Sequence, residues 1–196
     1  MLIGITGGIG SGKSVISKEL RRMGYAVYDT DNEAKRLVVE DLQVRQQIEV
    51  LFGTEVYKDG IYQTHIVAEK VFADNSLLAK LNTIVHPAVR ADILRWAKNT
   101  TPHDTIHPTP TLHFIECAIL YTAHLDQLCD KVVAITAPEE IRLKRTIARD
   151  HSDRDKVRAR MRAQEVEQDI QRADIVINND GTTPIPTLCK EILDLL

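Results

Sequence analysis

An α/β fold on a five-stranded parallel sheet flanked by helices is what this sequence predicts, and three observations predict it. Short apolar runs at Leu2-Ile3-Gly4-Ile5, Tyr25-Ala26-Val27-Tyr28, Leu112 to Ala118, Lys131 to Thr136 and Ile175-Val176-Ile177 have the length and composition of buried strands. A helical pattern joins the first two, and a strand-helix-strand unit this short implies parallel strands with a right-handed crossover. The turn inside that unit is glycine-rich. With 196 residues and 43% hydrophobic content, the chain can hold one substantial core carrying small insertions, so one folding unit is expected.

The turn reads Gly7-Gly8-Ile9-Gly10-Ser11-Gly12-Lys13-Ser14 and satisfies G-x-x-x-x-G-K-[ST] between a strand and a helix, the context the phosphate-binding motif needs. Its glycines let backbone N–H groups close around phosphate oxygens, and the helix behind them turns its positive end to the same anion. The nucleotide-contacting candidates here are Gly8, Gly10, Ser11, Gly12, Lys13, Ser14 and Val15, with Lys13 reaching the outer phosphates and the Ser14 hydroxyl a ligand for Mg²⁺. Ile16, Leu20 and Met23 continue as the apolar face of the helix, and Gly24 is its stop.

The second strand ends in Asp29-Thr30-Asp31, and a helix follows through Ala34, Leu37 and Val38. Ligands of such sheets lie beyond the carboxyl ends of the strands, so this pair and the phosphate loop are expected to face one cleft. A kinase needs a carboxylate near Mg²⁺ and an acceptor for the proton of the attacking hydroxyl. Residue spacing leaves open which of Asp29 and Asp31 does which, and capping of the next helix is the competing use.

Residues about 36–109 read as an inserted, mostly helical acceptor-binding domain, with a turn at Lys58-Asp59-Gly60 and a break at His86-Pro87. The proline is expected to hold His86 extended, either facing the cleft of this inserted domain or serving as a structural histidine. Residues 99–111 form a loop by composition, and the His103/His107 spacing there lacks the partner ligands of a metal site. The core is expected over about 1–35, 110–138 and 166–196, with a helical lid over about 139–165. Pro138-Glu139-Glu140 starts the lid, and Arg142, Arg145 and Arg149 share one helix face, followed by Arg154, Arg158, Arg160 and Arg162. A lid arginine stabilises charge on a transferring phosphoryl group while the lid excludes water, and the sequence does not choose among the first three. Glu116, in an apolar strand, needs a cation, a donor or water.

Bulk properties exclude several classes. A net charge of −3 gives no general reason for nucleic acid or an anionic membrane as partner. No signal-peptide pattern or membrane-length apolar run is present, so a cytoplasmic protein is expected. Cys117, Cys129 and Cys189 have no C-x-x-C spacing and suit buried reduced thiols.

Taken in order, Ile5 to Ser14, Asp29-Thr30-Asp31, Phe52-Gly53, Asp59-Gly60, Val71-Phe72, His86-Pro87, Arg142-Leu143-Lys144-Arg145, Gln164 and Ala173 to Asn179 closely resemble the dephospho-CoA kinases. The resemblance implies a P-loop, nucleoside-monophosphate-kinase-like fold and phosphorylation of the ribose 3′-hydroxyl of dephospho-CoA by ATP with Mg²⁺. It makes Asp31 the general base, puts Lys13 and Ser14 on the phosphates and Mg²⁺ and a lid arginine on ATP, and sets the Asn178-Asn179 turn near adenine. Asp29, Asp31, Lys35, Arg36 and His86 are the acceptor-side candidates. The chain departs from the family's pattern at Ala118-Ile119-Leu120-Tyr121-Thr122, where a terminal glutamate is usual, at Tyr62-Gln63-Thr64, which lacks an arginine, and at Lys35, with Arg36 displaced by one position. These changes leave a kinase of another small hydroxyl or nucleotide acceptor as the rival. A nucleotide switch is disfavoured because the guanine-reading Asn/Thr-Lys-x-Asp pattern is missing.

Overall fold

The computed structural model describes residues 1–100, 111–164 and 166–196; most of the loop read at 99–111, with His103 and His107, lies outside the described residues. In order, the elements are β1 (Leu2–Thr6), α1 (Lys13–Arg22), β2 (Ala26–Asp29), α2 (Thr30–Glu40), α3 (Leu42–Phe52), β3 (Tyr57–Lys58), β4 (Ile61–Tyr62), α4 (Thr64–Ala73) and α5 (Ser76–Asn99). They continue with β5 (His113–Glu116), β6 (Lys131–Thr136), α6 (Glu139–Asp150), α7 (Arg154–Arg162), α8 (Val166–Arg172), β7 (Ile175–Asn178) and α9 (Ile185–Leu195). The expected strands form one five-stranded sheet in the order β2-β5-β1-β6-β7. β1 runs parallel to β5 and β6, and β6 runs parallel to β7.

By its internal contacts the chain divides into a sheet unit, Met1–Tyr28 with Thr100–Leu196, and a helical unit, Asp29–Asn99. The sheet is buried where helices cover it, so its strands read as continuous apolar runs. Ile3, Ile5, Phe114, Val133 and Ile135 pack with Ile16 and Leu20 of α1 and Leu188 and Ile192 of α9. Helix α1 ends as its sequence requires. Gly24 takes φ +96°, and the Tyr25 N–H reaches back to the Leu20 carbonyl at 3.0 Å. The three cysteines are free thiols, and burial pushes Cys129 up to about 12 and Cys189 up to about 11. Among the described residues, no helix is long and apolar enough to cross a membrane.

The helical unit packs α2 to α5 and the β3–β4 hairpin around Val38, Val44, Ile48, Phe52, Val56, Tyr57 and Val67. Asp59 and Gly60 both have positive φ, as the tight turn read at Lys58-Asp59-Gly60 demands. Because α2 packs on α3 and α5, the division falls at Asp29, upstream of residue 36. One sequence expectation fails here: α5 runs unbroken through His86 and Pro87, so His86 is helical and half-buried, not extended. Packing against α2, α3 and α4 holds the helix together across the hydrogen bond that Pro87 cannot donate.

Candidate active site

The phosphate loop is held by long-range contacts that its sequence does not show. Gly12 caps α1 in the left-handed region at φ +96°, and a Cβ there would run into the side-chain amide of Asn179. That amide donates to the Ser11 carbonyl at 2.8 Å, while the Asn179 carbonyl accepts from the Arg145 guanidinium at 2.9 Å. At 3% exposure, Asn179 is a strut beneath the loop. Its neighbour Asn178 is exposed and turns its amide to Asp180. Gly10, with φ +78°, is pressed against the Arg142 carbonyl and the Thr146 hydroxyl, so the first turns of α6 lie directly on the loop.

Two oxygens meet at the start of α1. The Ser14 hydroxyl donates to Glu116 at 2.5 Å. Glu116 ends β5, and its register opposite Ile5 carries it to the carboxyl end of β1, where the loop begins. Glu116 is 8% exposed, and this hydroxyl is one donor that meets the need its burial creates. A hydroxyl and a carboxylate are the oxygen donors that a hard cation such as Mg²⁺ takes, so the pair fits such an ion. Among the described residues, no group of three or more His, Cys, Asp or Glu is placed to hold a metal.

The lid arginines divide sharply. Arg149 pairs with Asp150 at 2.6 Å, and Arg160 shares that carboxylate at 3.1 Å. These contacts hold the Asp150 carboxyl down at about 2. Arg154 and Arg158 both bind Glu140. Arg154, Arg158 and Arg160 therefore pin α7 to α6, with Leu143, Val157 and Met161 packed beneath them, while Arg149 pairs within α6 itself. Arg145 lies over the Asn179–Gly181 turn. Arg142 stands apart. Its Nε and Nη1 are buried without a hydrogen-bond acceptor among the described residues. Buried guanidinium donors are costly until an anion meets them, and their planar fork matches phosphate.

In the helical unit the aspartates separate by local geometry. Asp29 closes β2 and caps α2, taking the Asn32 backbone N–H at 3.1 Å and its side-chain amide at 2.8 Å. Thr30 and Asp31 are already helical. Asp31 is exposed in the first turn of α2, with no hydrogen bond or ion pair among the described residues. Lys35 is exposed. Arg36 is bound to Glu33 at 2.5 Å, Asp92 at 2.7 Å and Glu40 at 3.3 Å, which clamps α2 to α5 and pushes its pKa further up.

A family model described as CoaE, dephospho-CoA kinase, matches residues 1–184. The chain belongs to the dephospho-CoA kinase family. It is 41% identical over 171 residues to the dephospho-CoA kinase of Porphyromonas gingivalis, covering 87% of this chain and 81% of that one. It is 36% identical over 195 residues to that of Bacteroides fragilis, covering 99% and 90%. The solved structure of TT1252 from Thermus thermophilus superposes with a TM-score of 0.79 at 31% identity, covering 99% of this chain and 94% of that one. As a member of this family the chain is an enzyme, a nucleotide-binding P-loop kinase.

Proposed function

We propose that the enzyme transfers the γ-phosphoryl group of ATP to the ribose 3′-hydroxyl of dephospho-CoA, giving coenzyme A and ADP, in the cytoplasm. The observation that carries the phosphoryl-transfer half of this reading is Arg142: two buried guanidinium donors without an acceptor among the described residues, on a helix pressed onto the phosphate loop. Family membership supports the acceptor.

In this mechanism the loop N–H groups and Lys13 hold the β- and γ-phosphates. Ser14 and Glu116 are the residues that would hold Mg²⁺. When bound, the ion neutralises charge on the phosphate oxygens. Asp31 accepts the proton of the 3′-hydroxyl as the new O–P bond forms and the bond to the ADP oxygen breaks. Its open carboxylate, beside an Asp29 engaged in capping, supports that division of labour. Arg142 faces the charge spread over the transferring oxygens. Arg145, held on the Asn179 turn, orients the nucleotide, and Arg149 reaches ATP only by leaving Asp150. Lys35 is the exposed cation left for the acceptor's phosphates, because Arg36 is committed to three carboxylates.

The test is ADP release from Mg-ATP across a panel of hydroxyl and nucleotide acceptors. Dephospho-CoA should stimulate release far above every other acceptor. Stronger stimulation by another acceptor, traced to the altered Tyr62-Gln63-Thr64 and Ala118 to Thr122 segments, would move the enzyme to a different substrate.

A further inference from the structure

The mechanism leaves one lid contact unused. The side-chain carbonyl of Gln164, just past the end of α7, accepts the backbone N–H of Ile9 in the phosphate loop at 2.8 Å. Gln164 is itself placed by its own N–H, which returns to the Met161 carbonyl at 3.3 Å. Ile9 is gripped a second time, because its side chain packs with Leu143, Val157 and Met161 of the two lid helices.

These contacts converge on one peptide plane. The carbonyl of Gly8 accepts the Ser11 N–H at 3.1 Å, and the N–H of the same Gly8–Ile9 peptide goes to Gln164. A peptide unit is planar, so anchoring both polar ends fixes its orientation. Glycine permits that plane to turn over at little steric cost, and a turned plane would point the Gly8 carbonyl away from Ser11 and reshape the loop that receives the phosphates. The chemistry of the acceptor matters as well. A glutamate of the same shape would accept the same N–H, but it would set a negative charge beside an anion site; a glutamine holds the loop without repelling the nucleotide.

We propose that Gln164 is a positioning residue: it locks the Gly8–Ile9 peptide of the phosphate loop to the lid, and its neutrality is part of how the loop selects a polyphosphate. The proposal rests on ATP being the phosphoryl donor. It gives Gln164 an effect on the nucleotide and none on the acceptor.

The experiment measures steady-state kinetics with both substrates, together with direct Mg-ATP and AMP binding, for the full chain and for Gln164→Ala and Gln164→Glu. Gln164→Ala should raise KM for ATP about three- to tenfold, the worth of one hydrogen bond, with the acceptor KM unchanged. Gln164→Glu keeps the hydrogen bond and adds the charge. It should weaken ATP roughly tenfold at low salt, weaken AMP less, and recover as salt is added. Both variants should melt within about 4 °C of the parent. Salt-independent ATP binding by Gln164→Glu within twofold of the parent overturns the proposal, as does an equal rise in both substrates' KM. A parent protein that binds no Mg-ATP overturns the donor reading with it.

Discussion

The sheet unit and the helical unit use their cations in opposite ways. In the sheet unit Arg154, Arg158 and Arg160 of α7 are paired with carboxylates of α6, and the arginine on the loop, Arg142, keeps buried donors without an acceptor among the described residues. In the helical unit Arg36 is saturated by three carboxylates, and Asp31 is an exposed anion with no side-chain partner among the described residues. Under the proposed function the first feature would receive negative charge and the second a proton, the two demands of moving a phosphoryl group onto a hydroxyl.

The largest expected effect probes the open anion. Asp31→Asn should lower kcat by roughly 10²- to 10⁴-fold while ATP binding stays close to the parent's, because a general base acts only in the transfer step. Stopped or quenched turnover beside ATP titration checks this, and a loss under tenfold would remove Asp31 from proton transfer. Next comes the contrast within the lid. Arg142→Ala should cost roughly 10²-fold in kcat and Arg149→Ala less than about threefold, since an exposed ion pair contributes little. Equal losses would erase the division between the arginine on the loop and the one paired with a carboxylate of its own helix.

These two predictions mark where the sequence was readable. The glycine pattern of residues 7–12 encodes a loop directly, because positive φ at Gly10 and Gly12 is a local property. The five strands were legible from apolar runs for the same reason. The supports of the loop were not. Asn179 lies 168 residues from Ser11 and Gln164 lies 155 from Ile9, and no periodicity reports a pairing that only the sheet order creates. Glu116 drew attention as a carboxylate in an apolar strand, yet its partner followed only from the register of β5 on β1. The arginine spacing correctly put Arg142, Arg145 and Arg149 on one helix. It could not show that the adjacent Asp150 would capture the last of them. At Pro87 the local rule lost to tertiary packing.

Smaller effects test the saturated cation. Arg36→Ala should destabilise the protein by about 1 kcal/mol, a modest figure because much of the network is solvent-exposed and screened, and this corresponds to roughly 2–4 °C in thermal midpoint. The acceptor KM should change far less than with Lys35→Ala; the reverse order would make Arg36 a substrate ligand. The smallest effect lies at Asp150. Its carboxyl is depressed in the folded state from 3.8 to about 2, so its stabilising contribution is full above pH 3.8 and disappears as the pH falls through about 2. Denaturant melts of Asp150→Asn and the parent should therefore differ by a constant amount near neutrality and converge at about pH 2. A difference that grows on acidification would contradict the Arg149–Asp150–Arg160 assignment.

The most direct test of the central claim is a ³¹P NMR spectrum of the product formed from ATP and dephospho-CoA. A new phosphomonoester resonance coupled to the ribose H3′ proton should appear in step with ADP. A monoester on another carbon, or ADP and inorganic phosphate with no new ester, would contradict the claim.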